Sequence, residues 1–309
     1  MNQGVLASIT PMTAAAPTPA PPAQRTLRAV SWNLMSYGKS GLPTRRQQHE
    51  LLRFLRPDIV CLQEIYTVGG DAGELDRLVN AIADALGMVA FTVPAKHSDC
   101  HLAILWRPEY AVLSQRAYDL LMWHGLGVVR LDVGAPVPLT VAVTHLAPWN
   151  PDKQLADAYT LTGQLPLSDA TILAADWNSF GADPNHDPEP DWTALPTERI
   201  ARHIRWNDDS DALPVADRRP SQMMQRSGFH DAAPHLGMAW KATSGHRGGW
   251  SRREDVFWTN RPQALRSYQV IDTPAARALS DHLPIMVDLD PQAMPPSASP
   301  APPRRAEQP

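Results

Sequence analysis

Short apolar runs that end in polar side chains recur along the first two thirds of the chain. Four runs have this pattern, at residues 27–33, 59–62, 139–146 and 171–178. The polar groups at or just beyond their ends are Asn33, Glu64, His145 and the pair Asp176 and Asn178. Continuous apolar runs of this length predict strands that are buried on both faces. We therefore predict that these four strands bring polar groups to one edge of a β-structure.

The run at 171–178 shows the pattern most clearly, because it changes abruptly from apolar residues to Asp176, Trp177 and Asn178. In an extended backbone, residues i and i+2 lie on the same face. The carboxylate of Asp176 and the carboxamide of Asn178 are then expected to contact one ligand. Taken alone, the stretch is equally compatible with a strand-end turn, where Asp and Asn are common.

Two later segments have the opposite order, with the polar group before the apolar run. Asp255 precedes residues 256–258, and Asp281 with His282 precedes residues 283–287. If these groups meet the first four, their strands run away from the site while the earlier strands run towards it. This requires mixed or antiparallel sheets and excludes a doubly wound parallel sheet.

Helical spacing separates several of these strands. Helices are predicted at 44–55 with Thr44 as N-cap, at 73–86 and at 152–165, and short helical segments near 192–204 and 220–226. Further strands are predicted at 89–93, 101–106, 111–117 and 127–133. The polar, proline-rich stretch 181–227 is interpreted as a surface insertion at the strand ends.

Composition bounds the domain at residues 27–290 of the 309, a size compatible with one large core. Residues 1–26 and 291–309 are rich in alanine and proline, and we expect both tails to be disordered. The N-terminal stretch lacks the pattern of a secretory signal, and no later run reaches the ~20 apolar residues of a membrane span. We expect a monomeric cytoplasmic protein. A net charge of −4 argues against a generally basic surface for nucleic acid.

The collected polar groups have the chemistry of a metal-assisted hydrolase. They comprise the carboxylates Glu64, Asp176, Asp255 and Asp281, the carboxamides Asn33 and Asn178, and the imidazoles His145 and His282. Oxygen ligands without thiolates favour Mg²⁺ or Mn²⁺ over structural zinc. A lone histidine at a strand end is usually structural, but His145 belongs to a larger set. The set suits in-line hydrolysis of a phosphate ester.

Six motifs resemble, in order, those of the endonuclease/exonuclease/phosphatase superfamily, the deoxyribonuclease I-like fold. They are Ser31-Trp32-Asn33, Leu62-Gln63-Glu64, Thr144-His145-Leu146, Ala175-Asp176-Trp177-Asn178, Glu254-Asp255-Val256-Phe257 and Ser280-Asp281-His282-Leu283-Pro284. The resemblance spans roughly residues 27–290. It implies a four-layer α/β/β/α sandwich, in which two mixed β-sheets pack face to face with helices outside.

The resemblance also implies a role for each site residue. Glu64 is the main metal ligand, with Asn33 and Asp281 nearby in metal or hydrogen-bonding roles. Asp176 orients and activates water, and Asn178 holds the phosphate. His282, oriented by Asp255, contacts the phosphoryl group, and His145 is similar to the second histidine of the deoxyribonuclease and sphingomyelinase branches.

Three departures from the family pattern stand out. Ala175 occupies a position that is usually glycine, and Trp177 one that is often phenylalanine or leucine. Glu254 precedes Asp255 where a small apolar residue is common, and is either an outward surface residue or an extra charge near the site. The acidic partner of His145 is also undetermined, with Asp99 or His101 in about the right stretch.

The substrate class stays open at this stage. Substrate contacts are predicted for Arg247, Arg252 and Trp149, from a wider set of basic and loop indole residues, namely Lys241, Arg253, Arg199, Arg202, Arg205, Trp123, Trp192, Trp206 and Trp250. We expect a phosphate-ester substrate, a nucleic acid or a small molecule. The alternatives are a nuclease specific for DNA, a catalytically silent phosphate-binding protein of the same fold, and a coincidence of unrelated strand ends.

Overall fold

The computed structural model describes residues 26–205 and 214–296. Residues 1–25, 206–213 and 297–309 lie outside the described part of the chain, and with them most of both predicted tails and Trp206.

Two mixed β-sheets form the frame of the protein. In chain order the strands are β1 (Leu27–Asn33), β2 (Ile59–Tyr66), β3 (Val89–Val93), β4 (Cys100–Trp106), β5 (Ala111–Tyr118), β6 (Leu126–Asp132), β7 (Leu139–His145), β8 (Ala170–Asp176), β9 (Ile204–Arg205), β10 (Val215–Ala216), β11 (His230–Asp231), β12 (Asp255–Thr259), β13 (Leu265–Val270) and β14 (Ile285–Leu289). One six-stranded sheet has the order β13-β14-β1-β2-β4-β3, and the other has the order β11-β12-β8-β7-β6-β5. The pairs β1–β2 and β7–β8 are parallel, whereas β12 runs antiparallel to β8 and β14 antiparallel to β1. The predicted opposition of strand directions is confirmed.

Helices cover the outer faces of both sheets. In chain order the α-helices of the described residues are α1 (Leu42–Leu55), α2 (Ala72–Leu86), α3 (Pro151–Gln164), α4 (Thr197–Ile200), α5 (Arg219–Arg226), α6 (Ala232–His235) and α7 (Pro274–Leu279). One apolar cluster joins α1 and α2 to the outer face of the first sheet. Another joins α3 and α5 to the outer face of the second sheet.

Successive side chains of a strand point to opposite faces of its sheet, and this alternation separates the layers of the fold. In β1, Ala29 belongs to the core between the sheets, which also includes Val143 of β7. Its neighbours Val30 and Trp32 point the other way and belong to the cluster beneath α1 and α2. Because both faces of the strand are buried, its sequence is apolar throughout, and each large side chain contributes about 1.5–3 kcal/mol by burial. The predicted four-layer α/β/β/α sandwich is confirmed.

Two local predictions were wrong. Helix α1 begins at Leu42 with Gly41 as its N-cap, and not after Thr44. Pro43 fits within the first turn, because its fixed φ and missing N–H are tolerated there. Strand β8 ends at Asp176, and Asn178 has a φ of 47°, so these two residues do not share one extended strand.

The segments beyond the predicted core also contribute to the fold. Met294, after β14, is buried in the core between the two sheets. Helix α5, at the end of the stretch predicted as an insertion, packs into the outer helical layer through Met224. Within the described ranges, no helix combines the length and the apolar character needed to cross a lipid bilayer.

The part of the predicted insertion before α5 has a small apolar core of its own. Phe180, Trp192, Ile200, Ile204 and Ala216 are buried together. His203 lies at the edge of this core, in edge-on contact with the ring of Phe180, and is only 4% exposed. Burial, followed by the nearby charges of Arg252 and Arg202, lowers the pKa of His203 to about 3.

Because His203 is buried and neutral, we predict that the folded protein loses stability in acid. Its folded pKa lies below the value of about 6.5 in an unfolded chain, so the unfolded state binds more protons below pH 6.5. The stabilisation is complete above pH 6.5 and is lost as the pH falls towards 3. At about 1.4 kcal/mol per pH unit, lowering the pH from 7 to 5 costs about 2 kcal/mol from this residue. Chemical denaturation at both pH values should show that His203→Gln reduces the pH-dependent loss by about this amount.

The exposed His97 supplies the control. His97→Gln should leave the pH dependence of the unfolding free energy as in the wild type. An unchanged pH dependence in His203→Gln would contradict the prediction, whatever the overall stability of that variant.

Candidate functional site

Strand register brings three predicted residues side by side at one end of the second sheet. In the parallel pair β7–β8, His145 lies opposite Asp176. In the antiparallel pair β8–β12, Asp176 lies opposite Asp255. Because β7 and β8 end where β12 begins, an imidazole and two carboxylates meet at the same edge.

The first sheet adds Asn33, the last residue of β1, and Glu64, two residues before the end of β2. The pairing of β2 with β4 shifts register between Leu62 and Ile65, and Glu64 has a φ of 59° within this irregularity. The irregular backbone redirects the Glu64 side chain, as bulges commonly do beside active sites. The backbone N–H of Ser36 donates to Glu64 Oε2 over 3.0 Å.

The carboxamide of Asn33 connects the two sheets. Its Nδ2 donates to Glu64 Oε1 over 3.0 Å and to Asp176 Oδ2 over 2.8 Å. Its Oδ1 accepts from the backbone N–H of Met35. Asn33 is fully buried, so this amide fixes the two carboxylates with respect to each other.

His282 stands just before β14 and is surrounded by carboxylates. Its Nδ1 is 2.9 Å from Asp255 Oδ2, and its Nε2 is 3.7 Å from Asp176 Oδ2 and 3.9 Å from Glu254 Oε2. The indole N–H of Trp32 donates to the carbonyl oxygen of His282 over 3.0 Å and fixes its backbone. Burial alone would lower the pKa of His282, but the three carboxylates together raise it well above 6.5.

His145 has the opposite electrostatic environment. Its Nε2 is 3.4 Å from Asp176 Oδ2, and its ring stacks on His124 with ring centroids 4.1 Å apart. Burial, followed by the charges of His124 and His282, lowers the pKa of His145 well below 6.5. Its Nδ1 has no hydrogen-bond partner among the described residues. Neither candidate partner fills that role: His101 is hydrogen-bonded to Thr67 and Ala95, and Asp99 accepts from Tyr66.

His124 is a site residue that the sequence analysis missed. It is 5% exposed, lies beside His145 and has an unpartnered Nε2 within the described structure. It belongs to the loop between β5 and β6, where Gly125 adopts a φ of 79°. No strand pattern marks this loop, and its sequence gave no signal beyond a histidine before a glycine.

Asp176 lies at the centre of these groups and is 1% exposed. Burial is the main cause that raises its pKa well above 3.8, opposed by the charge of His282 and reinforced by Asp255 and Glu254. Asn178 follows in a left-handed conformation, and its Nδ2 donates to the carbonyl oxygen of Leu146 over 3.1 Å.

Glu254 is an extra charge near the site and not an outward surface residue. It is 3% exposed, and it accepts a hydrogen bond from Ser244 and pairs with the guanidinium of Arg252. Asp281 is half-buried, and Ser280 donates to it over 3.4 Å and to the Asn33 carbonyl oxygen over 2.8 Å.

Two groups of side chains in the described structure could hold a metal ion. One consists of Glu64, His145 and Asp176, and the other of Asp176, Asp255 and His282, each with ligand atoms within 4.8 Å of one another. Asp281, which the sequence analysis placed near the metal, belongs to neither group.

A cleft of about 330 Å³ opens over these residues. Its lining includes Arg252 and Trp149, as well as Trp123, which packs edge-on against Trp149 at 4.5 Å. Trp149 is 45% exposed. Arg247 is not part of the lining, and its guanidinium donates to the carbonyl oxygens of Arg277 and Ala278.

Several predicted basic residues are already engaged in ion pairs. Arg253 is buried against Asp231 at 2.6 Å, and Lys241 lies 3.5 Å from Asp272. Arg202 is exposed and lines the cleft. Together these positions do not form a continuous basic track across the described part of the cleft.

Comparisons with known proteins agree with this architecture. Among solved structures, the chain resembles an AP endonuclease from Archaeoglobus fulgidus, with 17% identity, a TM-score of 0.59, and coverage of 85% of this chain and 99% of that one. It resembles the human Nocturnin catalytic domain with bound sulfate anion at 18% identity and a TM-score of 0.56, covering 85% and 93%. It also resembles D. rerio TDP2 complexed with single strand DNA product, at 14% identity and a TM-score of 0.55, covering 85% and 98%. At these identities the likeness shows the fold alone.

The comparison with curated proteins gives no match. The profile of the Endonuclease/Exonuclease/phosphatase family matches residues 30–282, which include every motif from Asn33 to His282. On this match and the shared fold, the chain belongs to the endonuclease/exonuclease/phosphatase family, whose members are hydrolases of phosphoesters.

Proposed function

We propose that the protein is a metal-dependent phosphoesterase that hydrolyses a phosphodiester or phosphomonoester by in-line attack of an activated water. The observation that carries this proposal is the convergence of Glu64, Asp176, Asn178 and His282 on one cleft, from three separate parts of the chain. Because all these positions hold residues able to perform the chemistry, hydrolysis is favoured over a catalytically silent phosphate-binding protein.

The donor set fits a hard divalent cation. Glu64 and Asp176 offer carboxylate oxygens, and His145 offers a nitrogen within the same 4.8 Å group. Each oxygen of Glu64 accepts one protein hydrogen bond, which leaves lone pairs free for a cation. We propose Mg²⁺ or Mn²⁺, since oxygen-rich sites without thiolates favour these ions. When bound, such an ion would polarise a phosphoryl oxygen and offset charge that develops on the phosphate.

Asp176 is the proposed base that orients and activates the attacking water. Its Oδ2 faces Asn33, His145 and His282, whereas its Oδ1 accepts only a long 3.3 Å bond from the backbone of Asn178 within the described structure. Its raised pKa makes it a better proton acceptor than an ordinary aspartate.

His282 and Asn178 are the proposed phosphate contacts. Asp255 receives the Nδ1–H of His282, which leaves the Nε2–H beside Asp176 and Glu254 in the lining of the cleft. The raised pKa keeps this imidazole protonated near neutral pH, where it can donate to a phosphoryl oxygen and stabilise negative charge. Asn178 uses one amide hydrogen for Leu146 and retains a second for the phosphate.

A nuclease acting on DNA is a narrower form of the same proposal. The resemblance to an AP endonuclease and to TDP2 with a single strand DNA product supports it at the level of fold. The pairing of Arg253 and Lys241 with acidic residues weighs against a long basic track for a duplex. We therefore favour a compact phosphoester, and Arg252 and Trp149 are the proposed substrate contacts from the cleft wall.

Replacement of the proposed phosphate-contacting imidazole should abolish most activity. We expect His282→Ala to reduce the Mg²⁺- or Mn²⁺-dependent kcat/KM by between about 10² and 10⁴, since positioned proton donors contribute on this scale. The assay measures phosphate release and strand scission on nucleic acids, nucleotides, lipid phosphodiesters and sugar phosphates. His230→Gln, at an exposed position of β11, should behave as the wild type. Absence of turnover by the wild type across this panel would contradict the proposal.

Removal of the proposed main metal ligand should weaken cation binding directly. We expect Glu64→Gln to lower Mn²⁺ affinity at least tenfold in isothermal titration calorimetry, because one anionic ligand becomes a neutral amide. Glu74→Gln, in the first turn of α2, is the matched control and should bind Mn²⁺ like the wild type. Equal affinity in the wild type and Glu64→Gln would exclude Glu64 as a ligand.

A further inference from the structure

A second cavity adjoins the cleft and has a different character. It has a volume of about 170 Å³ and includes the rings of Phe180, His203, Trp240 and Trp250 in its lining. We refer to it as the aromatic pocket. The site chemistry described above does not use these four rings.

The walls of the aromatic pocket are held in place by packing. The ring centroid of Trp250 lies 6.0 Å from that of Phe180 and 5.3 Å from that of His203. The turn before Trp250 is equally constrained, because Gly245 has a φ of 91° and a Cβ there would lie 2.1 Å from the Trp250 carbonyl oxygen. The indole is therefore fixed before any ligand arrives.

The pocket adjoins the proposed catalytic site. Asn178, Arg252 and Glu254 line both the cleft and the aromatic pocket. The guanidinium of Arg252 lies 5.5 Å from the centre of the Trp250 ring and pairs with Glu254. A substrate whose phosphate is held by Asn178 therefore has the aromatic pocket beside it.

Polar groups around the pocket are largely occupied by protein partners. Asp187 accepts from the backbone N–H of Gly181 and from the indole N–H of Trp240. Glu189 accepts from the indole N–H of Trp192 and from the backbone N–H of Ala216. Arg252 donates to Nε2 of His203, which fixes that imidazole as a neutral acceptor. The pocket consequently offers ring faces and edges more than free hydrogen-bonding groups.

We propose that the aromatic pocket binds a planar aromatic group carried by the substrate on its phosphate, either a nucleobase or a phenol-type ring. The inference rests on the proposed phosphoesterase function and names the substrate class of that site. Offset and edge-on ring contacts favour such a group over an aliphatic chain or a sugar. Stacking of one base on protein aromatic rings contributes about 1–3 kcal/mol.

The test uses phosphonates, whose P–C bond is not hydrolysed, so that binding is measured without turnover. The probes are methylphosphonate, phenylphosphonate and the methylene phosphonate analogue of thymidine 5′-monophosphate, titrated calorimetrically with Mg²⁺ present. We expect the two ring-bearing probes to bind the wild type about tenfold or more tighter than methylphosphonate. Trp250→Ala should remove this advantage and leave methylphosphonate affinity unchanged.

Two further variants secure the interpretation. Trp250→Phe keeps a ring and should retain part of the preference, whereas Phe54→Ala removes an exposed aromatic side chain on α1 and should change nothing. A preference for the thymidine probe over phenylphosphonate would identify a nucleobase, and equal affinities would indicate any planar ring. Ring-bearing probes that bind no better than methylphosphonate would overturn the proposal, as would a Trp250→Ala variant that weakens all three probes equally.

The binding and turnover measurements distinguish failure of the aromatic-pocket proposal from failure of the catalytic proposal. Metal-dependent turnover without any ring preference would reject the aromatic pocket and leave the phosphoesterase intact. A ring preference lost in Trp250→Ala, in a protein that hydrolyses no phosphoester, would support the pocket and reject the catalytic role.

Discussion

The carboxylate of Asp176 is the constraint on which the site depends. It is buried at the junction of the two sheets, and a buried carboxylate is costly unless hydrogen bonds and opposite charge offset the lost hydration. The amide of Asn33 donates to it from the other sheet, and the charged imidazole of His282 lies 3.7 Å away. These contacts restrict how the sheets can move against each other at this edge, so the stability of the sandwich and the geometry of the site are coupled.

Strand direction explains why one edge collects so much chemistry. The parallel pairs β1–β2 and β7–β8 deliver the ends of four strands, while the antiparallel neighbours β12 and β14 begin at the same edge. Asn33, His145 and Asp176 terminate strands, and Asp255 starts one. The core between the sheets is filled by alternating apolar side chains, so a rigid platform supports the polar edge.

Two buried histidines on either side of Asp176 have pKa values shifted in opposite directions for physical reasons. His282 faces three carboxylates, which outweigh the cost of burying its charge, and its pKa is raised. His145 stacks on His124 and faces another cation, so burial dominates and its pKa is lowered. One imidazole is thus suited to donate to a phosphate, and the other has a neutral nitrogen that a metal ion could use.

The sequence by itself determined the frame of the protein, because continuous apolar runs with polar ends are a local signature of strands in a sheet covered on both faces. Asn33, Glu64, Asp176 and His282 could be selected from it, since each adjoins a strong apolar run or a family-like motif. Tertiary structure alone decided how these groups meet. The irregular backbone at Glu64, the left-handed Asn178 and the stack of His124 on His145 depend on contacts between strands and loops far apart in the chain. The burial of Glu254 and the formation of the aromatic pocket were likewise decided by the tertiary structure, because a loop sequence has no periodicity that reveals its packing partners.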